Sequence, residues 1–476
     1  MKYILTFLLA GLSLQLWSQN EIDALRYSRL QYLGGTARFS AMGGAFGALG
    51  GDFSAIGINP AGMAIYRKGE VMFTPAFFLR STDADYLKSF HSDSKSNFNI
   101  SNGGLVLAHA EDGEEREWKG VALAFGYNRL NNFHNRIAIT GKNESSSLLD
   151  VYSSSSFGKD INTLDPFGSL LAWNTWVMDT VSNGNYYHVL QNYGQLQEKF
   201  VETRGTMGET FFGFGGNYAN KLFLGFSMGF PHIRYREESS HTESVENDSI
   251  YGFKSFTLRN DLLTNGAGFH AKFGMIFKPV DWIRIGGSFQ TPTYFELTDQ
   301  YSSTMESHFT SNSYNSESPQ GAFDYTLTTP VRVTGSLAFV YKKIGMISAD
   351  YEFVDYSDAR LRSKLYNYHR ENSAIREKYQ SAGILRVGAE VNLSPIALRA
   401  GYILSENPFK AKTGNESIST SYSFGIGFKD ANTFVDLAYI WTAQQENYYL
   451  YDPAIVKPAA LDMRSSAISL TMGWKF

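Results

Sequence analysis

The most regular feature of this sequence is an alternation of apolar and polar residues with a period of two. Over the last ten residues the apolar side chains occupy alternate positions from Ile468 to Phe476, and small or polar residues lie between them. Such a period puts the two sets on opposite faces of a β-strand. The same alternation recurs at 222–230, 269–277 and 385–393. The pattern therefore predicts many β-strands that each carry one continuous apolar face.

The spacing of these segments predicts the number of strands. A first pass finds about fifteen, at 71–80, 97–109, 119–139, 207–218, 221–236, 251–263, 267–278, 283–300, 322–340, 345–356, 382–393, 396–405, 419–429, 433–445 and 466–476. Single-chain bacterial membrane barrels have an even number of strands and alternate short turns with long loops. Short connections at 219–220 and 279–282 can lie at one end of a barrel only if 251–278 is a single strand. We therefore predict an all-β fold, a fourteen-stranded antiparallel transmembrane β-barrel. A soluble sandwich also alternates, but it seldom carries polar strand extensions of this length.

The connections between these fourteen strands are predicted to alternate in length. The short ones are 110–118, 219–220, 279–282, 341–344, 394–395 and 430–432. The long ones are 81–96, 140–206, 237–250, 301–321, 357–381, 406–418 and 446–465. The longest, 140–206, contains apolar, helix-compatible stretches at 166–180 and 189–204. We expect it to form a large, partly helical cap over the extracellular mouth of the barrel.

The composition agrees with a membrane barrel and excludes several other classes. Charged residues make up 18% of the 476 residues, below the roughly 25% of soluble domains, and aromatic residues make up 15%. No apolar run of about 20 residues follows the N-terminus, which excludes a helical membrane protein. The chain has no cysteine, which excludes disulfides, thiolate metal ligands and a cysteine nucleophile. A net charge of −4 lacks the basic footprint of a nucleic-acid-binding protein.

Two segments precede the first strand. Residues 1–18 begin with the basic Lys2, continue with an apolar stretch and end at the small Ser18. This order is typical of a signal peptide, and a buried N-terminal helix is the alternative. Residues 19–68 include a Gly-rich run between Gly34 and Asp52 and contain no strand of membrane length. Because close backbone packing favours Gly, we expect this segment to form a plug inside a barrel made by 69–476.

Several motifs occur in an order that matches a known family. They are Gly43-Gly44-Ala45 through Asp52, Asn59-Pro60-Ala61, 278–286, 350–357, 385–390 and 398–409. On these residues, nearly the whole mature chain resembles the FadL/TodX family of outer-membrane transporters for long-chain fatty acids and other hydrophobic compounds, most closely its Bacteroidetes-type branch. The resemblance implies an N-terminal hatch, a hydrophobic binding site and lateral release through the barrel wall. The hatch motif carried over is Gly43, Gly44, Ala45, Asp52, Asn59, Pro60 and Ala61.

Two features of the sequence could indicate catalysis or metal binding, and neither occurs in the context that such a site needs. The pentapeptide Gly225–Gly229 fits the G-x-S-x-G pattern of a hydrolase, but that pattern needs a strand-to-helix turn and here it lies inside an alternating strand. The nine histidines are scattered, with no pair at the i, i+4 spacing that binds zinc on a helix. The sequence therefore predicts no enzyme, no cofactor and no metal site.

Charged residues on the predicted inner faces are candidates for ligand contact. The basic ones are Lys272, Arg284, Arg332, Arg386 and Arg399, and the acidic ones include Asp350, Glu352 and Glu390. One interpretation is that they pair with one another and with the plug, because charges inside a narrow barrel must be satisfied. The other is that an arginine binds a carboxylate head group, which its guanidinium can engage with two hydrogen bonds. Both can hold for different residues.

The third strand contains a polar interruption. Gly126 ends a good membrane segment, and Asn128, Asn131 and Asn132 follow it before the apolar pattern resumes. Such residues are poorly placed against lipid, where an unpaired polar group costs several kcal/mol. Either the strand leaves the membrane there, or a bulge opens a gap in the wall, as the family resemblance implies.

These observations favour a passive outer-membrane uptake channel for hydrophobic small molecules of fatty-acid type. We expect a monomer in contact with outer-membrane lipids, with hatch rearrangement and lateral release of the ligand. The alternative is a structural or secretion-associated barrel whose loops bind a protein partner. A lipid hydrolase comes third, because its nucleophile elbow is missing.

Overall fold

Fourteen antiparallel strands close into one barrel in the residues that the structure, a computed structural model, describes: 21–31, 34–110, 117–181, 184–246, 252–342 and 344–476. The strands are β1 Glu70–Tyr86, β2 Ser89–Ala110, β3 Trp118–Asn132 with Asn135–Asn143, β4 Gln195–Tyr218, β5 Leu222–Ser244, β6 Phe253–Val280, β7 Ile283–Gln290 with Tyr294–Phe309, β8 Gly321–Thr328 with Arg332–Tyr341, β9 Gly345–Asp355 with Arg360–Arg362, β10 Ser381–Leu393, β11 Ile396–Ser405, β12 Ser419–Lys429, β13 Thr433–Tyr448 and β14 Ala459–Lys475. A short strand, Ser313–Glu317, adds a hairpin to β7. The barrel closes where β1 pairs with β14, from Glu70 opposite Lys475 to Asp85 opposite Ala460. The predicted fold and strand number are confirmed, and the expected signal peptide, 1–18, lies outside the described residues.

A band of apolar side chains encircles the outside of the barrel. Exposed members on successive strands include Phe73, Leu107, Phe125, Phe212, Phe273, Leu337, Phe424 and Ile468. This is the surface that lipid tails contact in a transmembrane barrel. No helix among the described residues is long and apolar enough to cross a bilayer.

Several strands run further than the alternation predicted. The interval 81–96 is not a loop, because β1 and β2 continue through it to a two-residue turn at Leu87 and Lys88. Both turn residues have a positive φ, 50° and 70°, as in the tight turns that match the twist of a hairpin. Above the apolar band the outward residues become polar, as at Ser81, Asp83 and Asp85, so the sequence loses the lipid-facing apolar signal while the backbone ladder continues. The predicted loops 237–250, 301–321 and 446–465 are shorter than predicted for the same reason.

The longest connection forms a folded cap, but its bounds differ from the prediction. It runs from 144 to 194 rather than 140–206, and the stretch 189–204 enters β4 instead of forming a helix. The cap contains helices α3, Leu148–Ser156, and α4, Ser169–Asn174, and a hairpin of Met178–Val181 with Asn185–His188. Its apolar core packs against inward residues of the barrel, among them Phe256 and Met305. The cap therefore covers the mouth opposite the C-terminal end of β14.

The lumen is filled in layers beneath the cap. Helix α1, Glu21–Ser28, and helix α5, His369–Lys378, come next, and they share an apolar cluster with inward residues of β4, β5, β7, β8 and β9. Below them lies the N-terminal segment 34–66, which contains the short helix Ala37–Ala41, called α2, and the 3₁₀ helices Phe53–Gly57 and Pro60–Ile65. Nearly every side chain of this segment is buried. The region 34–66 is called the hatch from here on.

The closure of the barrel between β1 and β14 depends on the last residue. The Phe476 N–H donates to the Gly69 carbonyl at 3.0 Å, and its ring lies 5.6 Å from that of Trp474. Deleting Phe476 should lower the yield of folded barrel on refolding into lipid vesicles, measured as the fraction with heat-modifiable migration. Replacing it by Tyr is the control and should preserve the yield. A wild-type yield after the deletion would contradict this role.

Candidate functional site

Asn59 connects the hatch to the barrel wall. Its side-chain carbonyl caps the helix Pro60–Ile65 by accepting from the Ala61 N–H at 3.0 Å. Its amide donates to the carbonyl of Gly47, at 2.7 Å, and to that of Met275 on β6, at 3.1 Å. The side chain is buried, so it holds two parts of the hatch and one strand together with three hydrogen bonds out of water.

The hatch approaches the wall at glycines that no larger residue could replace. A Cβ at Gly225 would lie 2.2 Å from the carbonyl carbon of Pro60, and one at Gly274 would lie 1.9 Å from the Asn59 amide oxygen. Both glycines face inward on neighbouring strands, β5 and β6. Gly225 belongs to the pentapeptide that resembles a hydrolase elbow, and the structure places that pentapeptide within a regular strand. Gly225 therefore makes room for the hatch, and Gly229 makes room for Glu209 and His270.

The Gly-rich run forms the other half of the hatch. Gly43 and Gly44, at φ 62° and 74°, turn the chain after α2, and Ala45 is buried against them. Asp52 caps the helix Phe53–Gly57 by accepting from the Ser54 N–H at 3.0 Å, and it also accepts from the Thr36 hydroxyl. Burial raises the pKa of Asp52 to about 6, and charge attraction from Arg38 and the Thr36 hydrogen bond offset only part of that effect. The predicted hatch residues therefore lie together in the lumen.

Two of the predicted basic residues anchor the hatch. Arg284 donates to the Leu49 carbonyl at 2.6 Å. Arg399 bonds Glu390 at 2.6 Å and Asp436, and Glu390 also holds Arg38 of the hatch at 2.8 Å. Their charges are used in fixing the plug, as the first interpretation from sequence predicts.

The other three basic residues line a cavity above the hatch. Lys272, Arg332 and Arg386 face it from β6, β8 and β10. Apolar side chains from α1, the hatch and several strands line the same cavity; they include Tyr27, Leu30, Phe39, Ile58, Met207, Phe295 and Ile403. The cavity thus combines cationic and apolar side chains in one lining.

The charges around this cavity are unevenly matched. Arg332 and Arg386 share one carboxylate, Glu352, which lies 2.7 Å from the Arg386 guanidinium. Arg332 also donates to the Ser28 carbonyl of α1. One Arg386 nitrogen, Nη1, is buried and has no hydrogen-bond partner in the described part of the chain. Asp350, the carboxylate directly opposite Arg386 on β9, accepts from the Gly47 N–H of the hatch at 2.8 Å, so Arg386 keeps one unused buried donor.

A second cluster lies next to these arginines. Glu209 holds His270 at 2.7 Å and Lys272 at 3.4 Å, and the His270 ring also contacts the Thr293 hydroxyl at 3.3 Å. Glu209 and His270 were not predicted, because an inward polar residue on one strand gives no sign of its partner on another.

Helix α1 forms the roof of the cavity. Tyr27 and Ser28 line it from above, and the Arg29 guanidinium donates to the Ser417 hydroxyl at 2.7 Å. At the other end of α1, the Glu21 carbonyl accepts from the Tyr379 hydroxyl at 3.0 Å, just past α5. The route from the capped mouth to the cavity is thus occupied by α1 and α5. Sequence analysis missed this roof, because eight residues with mixed polarity give no strong helical pattern.

The barrel wall has a seam between β2 and β3. Their ladder runs from Ala110 opposite Gly120 to Asn102 opposite Asn128 and ends there. Beyond it, β2 pairs with β1 and the upper part of β3 pairs with β4. The ladder between β3 and β4 also shifts register, between Arg129 and Asn131. The polar interruption seen in the sequence therefore coincides with a local break in pairing.

Side chains bridge this seam in place of backbone bonds. Asn132 donates to the Asn97 amide oxygen at 3.1 Å, and the Arg129 guanidinium donates to the Ile100 carbonyl at 3.2 Å. Asn131 donates to the Arg29 carbonyl at 3.3 Å. Such side-chain hydrogen bonds can be replaced by hydrogen bonds to water or to a ligand without separating paired strands.

The cavity reaches the seam. Asn128, Arg129 and Leu130 belong to its lining, together with the three basic residues described above. Gly126 lies lower, in the paired part of β3, where a Cβ would come within 2.4 Å of the Phe53 ring of the hatch. The structure therefore places the three asparagines at the seam. It places Gly126 in the paired part of the wall, beside the hatch.

Comparison with protein families and with curated proteins finds no match. Solved structures do match. A Pseudomonas aeruginosa FadL homologue superposes with a TM-score of 0.54 at 12% identity, over 94% of this chain and 99% of that one. The Pseudomonas putida toluene transporter TodX gives the same four values. The Ralstonia pickettii toluene transporter TbuX gives a TM-score of 0.51 at 16% identity, over 93% and 98%.

These similarities establish the fold. The resemblance to FadL and TodX that the sequence motifs indicated is confirmed as a likeness of structure over nearly the whole chain. The three structures named above are a FadL homologue and two toluene transporters. At identities this low the likeness does not by itself transfer a ligand.

Asn59 provides a direct test of how the hatch is held. In Asn59→Ala, three buried partners lose their hydrogen bonds, at about 1–3 kcal/mol each, while the barrel ladder is untouched. We expect faster amide exchange across residues 43–62 with an unchanged barrel melting temperature. Ser288→Ala, which removes a single bond to the Ile58 carbonyl, is the matched control and should change exchange much less. Equal exchange in the two variants would contradict the role of Asn59.

Proposed function

We propose that the chain is an outer-membrane uptake channel for hydrophobic small molecules, and that its ligands are amphiphiles of fatty-acid type. The observation that carries this proposal is the cavity above the hatch, whose lining combines apolar side chains with an arginine donor that has no partner in the described part of the chain. The fold shared with hydrophobic-compound transporters supports the same class of cargo. The apolar outer band supports placement in a membrane.

The head group is assigned to Arg386. Its free Nη1 is a charged donor out of water, and a carboxylate would give it the charge-assisted bond that Glu352 cannot also provide, because Glu352 is shared with Arg332. Lys272 adds positive charge to the same wall. The hydrocarbon tail would then lie against Phe39, Ile58 and their apolar neighbours, which removes it from water.

The exit is assigned to the seam between β2 and β3. A hydrophobic molecule leaving through it emerges at the upper edge of the apolar band, where its tail can enter the lipid, and never has to cross the hatch. The bonds of Asn132, Arg129 and Asn131 can open without breaking the β2–β3 ladder below Asn102. Hatch rearrangement then changes the size of the cavity but is not itself the path.

Arg386→Gln tests the head-group assignment. Glu352 keeps its bond to Arg332 in this variant, so the wall retains a paired carboxylate. We expect oleate binding to weaken about tenfold, because a charge-assisted bond is lost. Binding of methyl oleate, which has no charge, should change little. The control is Arg464→Gln, an exposed outer arginine paired with Asp83. Equal losses for oleate and its ester, or no loss for either, would refute the assignment.

A reversible cross-link tests the exit. The chain has no cysteine, so Asn97→Cys with Asn132→Cys introduces one thiol pair across the seam, at side chains that now touch. Oxidation should slow uptake of labelled oleate by cells that lack other uptake routes, and reduction should restore it.

The matched control for this cross-link lies in the intact ladder. Leu107→Cys with Leu123→Cys bridges directly opposed residues below the seam, and its oxidation should leave uptake unchanged. Full uptake through an oxidised seam would exclude it as the exit. No difference in oleate uptake between cells with and without the protein would favour a structural barrel whose loops bind a protein partner.

A further inference from the structure

Next to the seam, the outer wall carries arginines at the upper edge of the apolar band. On β4 and β5 the outward residues change from Phe212 and Phe230, which are exposed, to His232, Arg234 and Arg236. The two phenylalanine rings touch at 6.4 Å. In a membrane barrel this change marks the level at which lipid tails end and head groups begin.

Two of these arginines have no acidic partner. Arg204 bonds Glu202 and Glu238, and Arg236 bonds Glu238 and Asp261. Arg129 instead donates to neutral groups, the Ile100 carbonyl and the Thr206 hydroxyl. Arg234 makes no side-chain hydrogen bond or ion pair within the described ranges. Two uncompensated cations therefore remain on this part of the wall.

The strand register brings the two arginines together. Thr206 on β4 lies directly opposite Arg234 on β5. The Arg129 guanidinium reaches the same Thr206 from β3, with a distance of 2.7 Å between Nη1 and the hydroxyl. Adjacent strands lie about 5 Å apart, so Arg234 and the Arg129 guanidinium approach the same threonine from neighbouring strands.

An aromatic surface lies directly below them. The Tyr127 ring of β3 lies over Gly208, where a Cβ would come within 2.4 Å of that ring. The same ring stacks on the His232 ring of β5, with 5.9 Å between the two centroids. Gly208 is the residue opposite both Arg129 and His232. The wall thus presents a flat ring surface beneath a pair of cations, and the apolar band continues below.

We propose that Arg129 and Arg234 bind the phosphate of a membrane lipid whose tails lie along Tyr127, Phe212 and Phe230. Two guanidinium groups side by side suit a phosphate, which accepts several charge-assisted bonds at once. The chemistry of the site fits free phosphate as well, but the apolar surface immediately below assigns it to a lipid. The inference rests on the membrane placement proposed above, and it is independent of which cargo the channel carries.

The test measures lipid adducts of the purified barrel by native mass spectrometry, with dioleoyl phosphatidate as the probe and dioleoyl phosphatidylcholine as the zwitterionic reference. Arg234→Ala should lower the phosphatidate affinity about fivefold, and Arg129→Ala with Arg234→Ala about 25-fold, from about 1 kcal/mol for each arginine. Arg259→Ala is the control, because Arg259 is exposed on the same wall but paired with Glu306. It should leave the affinity unchanged.

Three results would overturn the site. The first is wild-type phosphatidate affinity in the double variant. The second is an equal loss in Arg259→Ala, which would mean a general charge effect. The third is displacement of phosphatidate by excess inorganic phosphate, which would assign the arginines to a free anion. Arg234→Ala removes no contact seen here, so failure to fold is not expected, and heat-modifiable migration checks it. Failure of the proposed function looks different: oleate uptake is absent while the phosphatidate adduct and its arginine dependence persist.

Discussion

The structure depends on one constraint, which is that a barrel of fourteen strands encloses more space than its own inward side chains can fill. The N-terminal hatch fills that space from within. It must also provide hydrogen-bond and ion-pair partners for the polar groups of the inner wall. Asn59 meets the backbone of the hatch and of β6, and Arg38 completes an ionic network with Glu390 and Arg399. Gly225 of β5 and Gly274 of β6 leave room for the hatch, which lies against them at contact distance.

The candidate site lies where this pairing of polar groups is incomplete. Several inner charges hold the hatch, among them those of Arg284 and Arg399. Within the described residues Arg386 keeps a buried donor without a partner, and it faces a cavity that apolar side chains also line. The same reasoning applies to the wall. A complete backbone ladder between β2 and β3 would leave no path through the wall. In the upper part of these strands, side-chain hydrogen bonds of Asn132 and Arg129 replace that ladder. Cavity and seam are continuous, and that continuity is what a transport function requires.

The sequence alone predicts the parts of the fold that contact lipid or carry special backbone geometry. Alternation at Ile468–Phe476 and similar segments identified the strands because a lipid-facing side chain must be apolar. It failed at 81–96, where β1 and β2 continue although their outward residues become polar. All five basic residues lie on the inner face, but alternation alone could not separate Arg386 from Arg399, because height along the barrel axis and the choice of partner depend on strands distant in sequence. The asparagines of β3 were recognisable as a break, whereas α1, whose eight residues are fixed by tertiary packing, was not.

The central claim is that the cavity above the hatch holds an amphiphile with its carboxylate at Arg386. A crystal structure with a fatty acid brominated at the end of its chain tests it directly, because anomalous scattering locates the bromine. The account predicts bromine between the hatch and α1, among Phe39, Ile58 and Ile403, with the carboxylate in hydrogen-bond contact with the Arg386 guanidinium. Bromine found only on the outer wall, with the Arg386 donor still without a partner, would contradict it.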